Sequence, residues 1–237
     1  MKLGFSTGCF YKFMSPLSKE AIAACRDFGF NAIELGVNSI AEVNLLTKIK
    51  KIDLADFKYI SIHGPGHDVM RAVDAKEHKR ILDVFQKVYK KINFDCLVLH
   101  PGEWIADWEI FKNYSLPIAF ENMDWRHKIA SDVKSLKEIF SGKNFKMVLD
   151  LNHCYTHDPT MKLAADIYKE FKGIIKHYHL SGVGESDHDP LYRSQGRKII
   201  DAIPDLNLPI IIECKLKDME DARKEAEYIK RELRIKE

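Results

Sequence analysis

Acidic and imidazole side chains stand at the ends of several short apolar runs in this sequence. One run ends in Asp150, and His153 follows three residues later, as the chain is expected to turn. Five similar runs end in the following residues: His63, His100, Glu121, His179 and Glu213. Carboxylates and imidazoles are frequent ligands of divalent metals. A helix-capping aspartate followed by a loop histidine would explain Asp150 and His153 alone, but it does not explain why the pattern recurs.

The apolar runs alternate with amphipathic segments along the whole chain. Eight of the runs have the length of strands and are apolar on both faces, which is typical of a parallel sheet covered by helices. With 237 residues, the chain has the size of a (β/α)₈ TIM barrel. We therefore predict an α/β fold with one barrel domain over residues 1–237, and one long polar loop over Ser181–Gly196.

A parallel barrel brings the carboxyl ends of its strands to one rim, where the last inward side chains share a centre. The most coherent set at this rim consists of three carboxylates and one imidazole: Glu121, Asp150, His179 and Glu213. Three carboxylates at short range repel one another unless a cation compensates their charge. This set predicts a site for Mn²⁺, Mg²⁺, Co²⁺ or Zn²⁺. Carboxylates that share protons without a metal are the alternative.

Other residues near the same rim would supply further metal ligands or substrate contacts. Five of them are candidates for either role: His63, His100, His153, Asp187 and His188. With these ligands, the sequence predicts one bound metal and allows up to three.

Two further residues are predicted to contact substrate. Glu34 ends the second apolar run and would accept a hydrogen bond from substrate or from a neighbouring backbone group. Arg193, in the predicted loop, would hold a substrate phosphate or carboxylate at two points, unless this is an ordinary solvated loop.

The remaining histidines are interpreted as structural. Alternation along a strand places His177 beneath the rim, in the barrel interior with Ala119, Val148 and Ile211. Four others are interpreted as ordinary loop or surface residues: His67, His78, His127 and His157.

The composition gives little support to a nucleic-acid or membrane partner. Basic and acidic residues number 37 and 35, for a net charge of +2, and no block of like charge occurs. No apolar run approaches the length of a membrane span, and the first residues lack the layout of a secretory signal. Five scattered cysteines favour reduced thiols. We expect a cytoplasmic protein that acts on a small molecule, and the sequence leaves open whether it forms a homo-oligomer.

The motifs at the strand ends resemble those of the xylose isomerase-like TIM barrel superfamily, which includes sugar epimerases, sugar isomerases and endonuclease IV. The matching pieces lie in the family's order and cover nearly the whole chain: His63-Gly64-Pro65, His100-Pro101-Gly102, Glu121-Asn122, Asp150-Leu151-Asn152-His153, His179-Leu180-Ser181 and Ile211-Ile212-Glu213. The match to the fold and to the metal site is specific, whereas the match to one activity is not.

The resemblance implies two kinds of chemistry. In the epimerases, the residues matching Glu121, Asp150, His179 and Glu213 hold one divalent metal, and the two glutamates act as acid and base. This implies an isomerase or epimerase of a small sugar, sugar phosphate or related hydroxy-carbonyl compound, through a stabilised enediolate.

In the nuclease branch, positions matching His63, His100, His153 and His188 help to hold three zinc ions. This implies, as the alternative, a zinc phosphodiesterase that cleaves DNA at abasic sites. Gly66 stands where that branch has a tyrosine that intrudes into DNA, and Asp187-His188-Asp189 departs from its final motif. A barrel that keeps a metal but only binds a ligand is the third possibility.

Overall fold

Eight parallel strands close into a barrel in this protein. The computed structural model describes residues 1–184, 187–194 and 196–235. The barrel strands are β1 (Leu3–Ser6), β2 (Ala32–Gly36), β3 (Tyr59–His63), β4 (Cys96–Leu99), β5 (Ile118–Glu121), β6 (Lys146–Asp150), β7 (Ile175–Leu180) and β10 (Ile210–Ile212). Their order around the barrel is β1-β10-β7-β6-β5-β4-β3-β2, which confirms the predicted (β/α)₈ architecture.

Helices cover the outside of the barrel and connect its strands. The α-helices are α1 (Lys19–Asp27), α2 (Ile40–Leu45), α3 (His67–Arg71), α4 (Ala75–Ile92), α5 (Val133–Phe140), α6 (Leu151–His157), α7 (Lys162–Phe171), α8 (Arg197–Asp201) and α9 (Met219–Glu232). Short 3₁₀ segments lie at Thr7–Phe10, Leu46–Lys48, Lys51–Leu54, Trp108–Asn113 and Leu191–Arg193. Within the described residues, no helix is both long enough and apolar enough to cross a membrane.

Helix α4 shows how the sequence specifies these outer elements. The Asp74 carboxylate accepts the backbone N–H of Glu77 at 2.8 Å and begins the helix, and Asn93 ends it in the left-handed conformation at φ 55°. The buried side chains recur at helical spacing and form one face: Ile81, Leu82, Val84, Phe85, Val88 and Ile92. Burying this face against the strands fixes the helix on the barrel.

Apolar side chains from the barrel strands fill the barrel interior, and all but Tyr59 are small or medium-sized. They form a separate buried cluster: Ala32, Tyr59, Cys96, Val98, Ala119, Val148 and Ile211. This confirms the predicted inward layer beneath the rim, because Ala119, Val148 and Ile211 all belong to it. The rim residues therefore stand on a packed floor rather than over an open channel.

Two local predictions differ from the structure. The segment over Ser181–Gly196 is not only a loop: Gly182–Val183 (β8) and Asp187–Asp189 (β9) pair as a small antiparallel ribbon, while residues 185, 186 and 195 lie outside the described residues. The chain also enters α6 directly after β6, so His153 lies in the first turn of a helix rather than in a loop. The cause is Asp150, whose Oδ1 accepts the His153 N–H at 2.8 Å and caps that helix.

We predict a moderate stability loss when the cap of α5 is removed. Asp132 Oδ1 accepts the Ser135 N–H at 2.7 Å, and Ser135 Oγ accepts the Asp132 N–H at 3.1 Å, a reciprocal capping box. Replacing Asp132 with Ala should lower the unfolding free energy by about 1 kcal/mol in urea denaturation. The Asp132→Asn variant keeps an acceptor and should stay near the wild type; equal losses in both variants would contradict the capping role.

Candidate metal centre

The predicted rim residues lie together at the carboxyl end of the barrel. His63, Glu121 and Asp150 are the last residues of β3, β5 and β6. His179 is the next-to-last residue of β7, and Glu213 directly follows β10. Glu121, Asp150 and His179 are fully buried, so each needs a partner of opposite charge, a hydrogen bond or a cation.

Four of these residues form one cluster, the His179 cluster: His63, Glu121, His179 and Glu213, with one ligand-type atom from each lying within 4.8 Å of all the others. His179 Nδ1 lies 2.7 Å from Glu121 Oε1 and 2.8 Å from Glu213 Oε2. His63 Nε2 lies 3.3 Å from Glu121 Oε2. The structure thus brings together three of the four predicted ligands and places His63 in this cluster, while Asp150 belongs to a second cluster.

The second cluster, the Asp150 cluster, consists of Asp150, His153 and His188. His153 Nδ1 lies 2.7 Å from the backbone carbonyl of Asn122, and His188 Nδ1 lies 3.1 Å from that of Glu213. Because carbonyl oxygens only accept, both Nδ1 atoms donate a proton, and each Nε2 atom of the neutral rings carries a lone pair. The two Nε2 atoms nevertheless face each other at 3.1 Å.

These contacts fit a divalent cation. Two nitrogen lone pairs at 3.1 Å repel unless a proton or a cation lies between them. Beside them, Asp150 Oδ2 is buried, finds no hydrogen-bond partner among the described residues, and lies 3.7 Å from His153 Nε2. A buried carboxylate oxygen without a partner is costly, and a metal ion would satisfy it. The donor set of carboxylates and imidazoles suits Zn²⁺, Mn²⁺ or Co²⁺.

The pKa values of these groups in the metal-free protein show how strongly they interact. Burial lowers the pKa of His63, but the carboxylates of Glu213, Glu121 and Glu34 outweigh this effect and raise it to about 10. Burial raises the pKa of Glu213, yet His179 and His63 bring it down to about 2. The pKa of Asp150 is raised well above its ordinary value by burial and by the nearby Glu121. The same carboxylates raise the pKa of His179 well above its ordinary value. In the metal-free protein, His63 and His179 are therefore cationic and neutralise acids that a bound cation would otherwise neutralise.

Comparison with solved structures identifies the architecture. No protein family model and no curated protein match the chain. Endonuclease IV from Thermus thermophilus matches with a TM-score of 0.72 at 15% identity, covering 99% of each chain. The probable 3-DHS dehydratase AsbF from Bacillus anthracis matches with a TM-score of 0.70 at 15% identity, over 97% of this chain and 98% of the other. D-psicose 3-epimerase from Clostridium cellulolyticum matches at 0.66 and 13% identity, over 97% and 96%.

The chain has the (β/α)₈ TIM barrel fold of these solved structures. At these identities the likeness concerns the fold, and structures of quite different activities share it. Within such a barrel, the chemistry must be argued from the side chains at the rim.

Two further predicted ligands, His100 and Asp187, belong to neither cluster. His100 Nδ1 accepts the backbone N–H of His67 at 3.3 Å, so the proton of the neutral ring lies on Nε2. His100 therefore donates from Nε2 to Glu121 Oε2 at 3.0 Å. Asp187 Oδ2 lies 3.8 Å from the Arg126 guanidinium.

The predicted substrate contacts of Glu34 and Arg193 need correction. Glu34 lies beneath the rim, because β2 continues two residues beyond it, and its Oε2 contacts Ser61 Oγ at 2.9 Å and His179 Nε2 at 3.2 Å instead of reaching the rim. Arg193 donates from Nη1 to both carboxylate oxygens of Asp221 on α9, at 2.8 and 3.0 Å. Since this carboxylate already neutralises the guanidinium, Arg193 fixes the loop to α9 instead of binding a substrate anion.

Sequence reasoning missed residues that line the cavity above the clusters. This cavity of about 600 Å³ contacts both His153 and His188, and four unexpected side chains line it: His67, Asp124, Arg126 and His127. His67 Nε2 lies 3.1 Å from Glu103 Oε2, and His127 Nδ1 lies 3.0 Å from Asp124 Oδ1. Their position after β3 and β5 was the available signal, because such loops build the active face of a TIM barrel.

A buried glutamate anchors the segment that follows His188. Glu225 on α9 accepts the backbone N–H groups of Leu191 at 2.8 Å and Tyr192 at 3.0 Å. Burial raises the pKa of Glu225 to about 7, although the two N–H groups oppose this shift. The folded protein therefore binds this proton more tightly than the unfolded chain does, and this carboxyl group favours folding most at low pH.

We predict that the Glu225 carboxyl group makes the free energy of unfolding fall as the pH rises. Between pH 5 and pH 7.5, Glu225 should contribute a loss of about 2 kcal/mol in unfolding free energy, because the folded pKa of about 7 exceeds the ordinary value of 4.5. Urea denaturation of Glu225→Gln should show a shallower decline than the wild type over this range. Glu227→Gln, an exposed change on the same helix, should keep the wild-type slope; a wild-type slope in Glu225→Gln would refute the assignment.

Proposed function

We propose that this protein is a divalent-metal-dependent isomerase or epimerase of a small sugar, sugar phosphate or related hydroxy-carbonyl compound. The observation that carries this proposal is the approach of two glutamates to one nitrogen. Glu121 and Glu213 come from different strands and both lie within 2.8 Å of His179 Nδ1. A cation held by the His179 cluster would supply Lewis-acid polarisation of a substrate carbonyl, which makes the neighbouring C–H bond acidic.

The two glutamates would then perform the proton transfers. Glu213 is about a quarter exposed on its side chain, whereas Glu121 is fully buried, so Glu213 is the more accessible base for a substrate C–H. The proton taken by Glu213 would pass to solvent, and Glu121, protonated in turn from solvent, would deliver a proton to the enediolate of the substrate on the opposite face or at the neighbouring carbon. His63 and His100, both beside Glu121 Oε2 at 3.3 and 3.0 Å, would hold that carboxylate in place.

The cavity supports a small polar substrate. It is lined by three acidic side chains (Asp68, Glu103, Asp124) and three basic ones (Arg71, Arg126, Lys128), so its charge is balanced. Duplex DNA requires a broad cationic surface. Gly66 leaves open space where the nuclease branch carries its intruding tyrosine, since an added Cβ would meet only His100 Nδ1, at 4.0 Å. These observations favour a small polar ligand over duplex DNA.

One observation favours a second candidate, an endonuclease IV-like zinc phosphodiesterase. The Asp150 cluster provides three more ligands beside the His179 cluster, so the chain has donors for more than one metal. Adjacent metal sites are typical of enzymes that cleave phosphate esters, because two cations stabilise the attacking and leaving oxygens.

A paired assay separates the two candidates. The protein, loaded with Mn²⁺, Co²⁺ or Zn²⁺, is incubated in deuterated water with a panel of ketoses and ketose phosphates, and in parallel with a duplex that contains an abasic site. Solvent deuterium at a carbon next to the carbonyl is the result expected here. Incision of the abasic duplex that a chelator abolishes, with no exchange into any ketose, would replace the isomerase by the nuclease.

A further inference from the structure

A chain of buried polar groups continues from His179 down into the barrel, away from both clusters of the rim. It consists of Glu34 on β2, His177 on β7 and Tyr59 on β3. Glu34 and His177 are fully buried, and Tyr59 is 4% exposed. None of them can touch a substrate at the rim, so any effect on the chemistry must pass through His179.

The contacts of this chain are short and continuous. His179 Nε2 lies 3.2 Å from Glu34 Oε2 and 3.0 Å from His177 Nε2. His177 Nδ1 lies 2.8 Å from the Tyr59 hydroxyl. Ser61 Oγ donates to Glu34 Oε2 at 2.9 Å and holds that carboxylate toward His179.

The number of protons available restricts the tautomers of His177 and His179. Without a metal, His179 Nδ1 carries a proton, because it lies 2.7 Å from Glu121 Oε1 and 2.8 Å from Glu213 Oε2 and carboxylates only accept. A cation on Nδ1 would replace that proton and leave both rings neutral. The facing Nε2 atoms of His177 and His179 would then share one proton, so one ring would donate and the other accept. If His177 donated, the proton of His179 would lie on Nδ1 and would block that atom as a metal ligand. If His179 donates, its Nδ1 presents a lone pair to the space between Glu121 and Glu213.

Two contacts favour the arrangement in which His179 donates its proton from Nε2. Glu34 Oε2 can only accept, and it lies closer to Nε2 of His179, at 3.2 Å, than to Nε2 of His177, at 3.4 Å. His177 can then carry its own proton on Nδ1 and donate it to the Tyr59 oxygen at 2.8 Å. Every ring N–H has an acceptor in this arrangement, and the lone pair of His179 Nδ1 is available to a cation between Glu121 and Glu213.

We propose that Glu34, His177 and Tyr59 are positioning residues that fix the tautomer of His179 and thereby set the affinity of the His179 cluster for a divalent cation. This inference rests on the proposed metal-dependent function. A ligating histidine is held most firmly when its other ring nitrogen donates to a carboxylate, and losing such a partner weakens metal binding. Here the carboxylate is Glu34, and the His177–Tyr59 pair prevents the competing tautomer.

The test is a titration with Co²⁺, followed by its visible absorption, together with the zinc content per chain. Glu34→Gln places a side-chain amide beside His179 Nε2, so the apparent dissociation constant of the His179 cluster should rise about 10- to 100-fold. Tyr59→Phe removes the acceptor of the His177 proton and should raise the same dissociation constant by up to about tenfold. Tyr178→Phe is the matched control, because Tyr178 neighbours His177 on β7 but belongs to the outer core, and it should bind Co²⁺ like the wild type.

A second measurement keeps the proposal testable if Glu34→Gln folds poorly. Nitrogen-15 spectra of the zinc-loaded wild type should show His179 protonated on Nε2 and not on Nδ1. A proton on Nδ1, or wild-type Co²⁺ affinity in a folded Glu34→Gln protein, would overturn the proposal. A third outcome would also overturn it: Glu34→Gln could lose one metal equivalent while the His179 cluster keeps its metal. In that case Glu34, His177 and His179 would be the ligands of a separate cation.

The outcomes also separate this proposal from the function on which it rests. A wild-type protein that takes up no divalent ion would refute the proposed metal-dependent activity itself. A wild type that binds Co²⁺, with variants that bind it equally well, would refute only the positioning role.

Discussion

Replacing Glu213 with Gln is expected to lower kcat/KM for deuterium exchange into the reactive ketose by about a thousandfold. An amide cannot accept the substrate proton, and a positioned general base contributes about 10²- to 10⁴-fold to catalysis. Glu213 Oε2 lies 2.8 Å from His179 Nδ1, so the change also removes a candidate metal ligand. Rates are therefore measured over a range of Mn²⁺ or Co²⁺ concentrations, with bound metal determined in each sample.

The metal series decides between the two roles of Glu213. If saturating metal restores wild-type activity, Glu213 acts as a ligand only, and the assignment as a base is wrong. The matched control is Glu103→Gln, which changes an exposed carboxylate that lines the same cavity and contacts His67 at 3.1 Å. We expect less than about a tenfold effect there, because this carboxylate is solvated and lies outside both clusters.

The location of the site could be predicted because strand geometry constrains it closely. In parallel strands, the last inward residue of each strand reaches the same rim, and this rule placed Glu121 and Asp150 at one end of the barrel from sequence alone. The period of two along a strand also assigned His177 to the layer beneath His179, where the structure has it.

Glu34 shows where this reasoning stops. The sequence predicts Glu34 as the end of β2, but the strand continues to Gly36, which pairs with His63, while Glu34 pairs with Ser61. A difference of two residues in strand length keeps the side chain on the same face and moves it one layer deeper. Strand ends are poorly defined by local sequence, so a residue that supports the site was read as one that contacts substrate.

Contacts outside the strand ends, between loops and helices far apart in the sequence, could not be predicted. Arg193 meets Asp221, 28 residues later in the chain, and nothing in the local sequence distinguishes this pairing from binding of a substrate anion. The partition of the ligands into two clusters depends likewise on the ribbon that carries His188 back over His153. Such contacts follow from the path of the folded chain, which local patterns do not specify.

Because the ligands form two clusters, we expect the second large effect, a loss of zinc affinity, when His188 is replaced with Asn. His188 has a left-handed backbone at φ 61°, and asparagine adopts this conformation more readily than most residues, so the variant should fold. It loses the nitrogen that faces His153 Nε2 at 3.1 Å. The affinity of the Asp150 cluster for Zn²⁺ should fall by more than about 100-fold, because losing a ligand costs more than losing a supporting hydrogen bond.

The matched control changes a histidine on the same helix as His153, one turn further along. His157 Nε2 contacts the backbone carbonyl of Met123 at 3.2 Å and belongs to neither cluster, so His157→Asn should keep the wild-type zinc content. His188→Asn should bind one equivalent of zinc fewer than this control. Unchanged zinc content would show that the facing imidazoles are bridged by a proton and that the chain has one metal site.

The same variant bears on the choice between the two activities. An isomerase that works at the His179 cluster should retain most of its exchange activity in His188→Asn, because Glu121, His179 and Glu213 are untouched. A phosphodiesterase that requires both clusters should lose incision of an abasic duplex together with the second metal. Since both activities are measured on one folded protein of known metal content, their separate responses connect each cluster to the reaction that it supports.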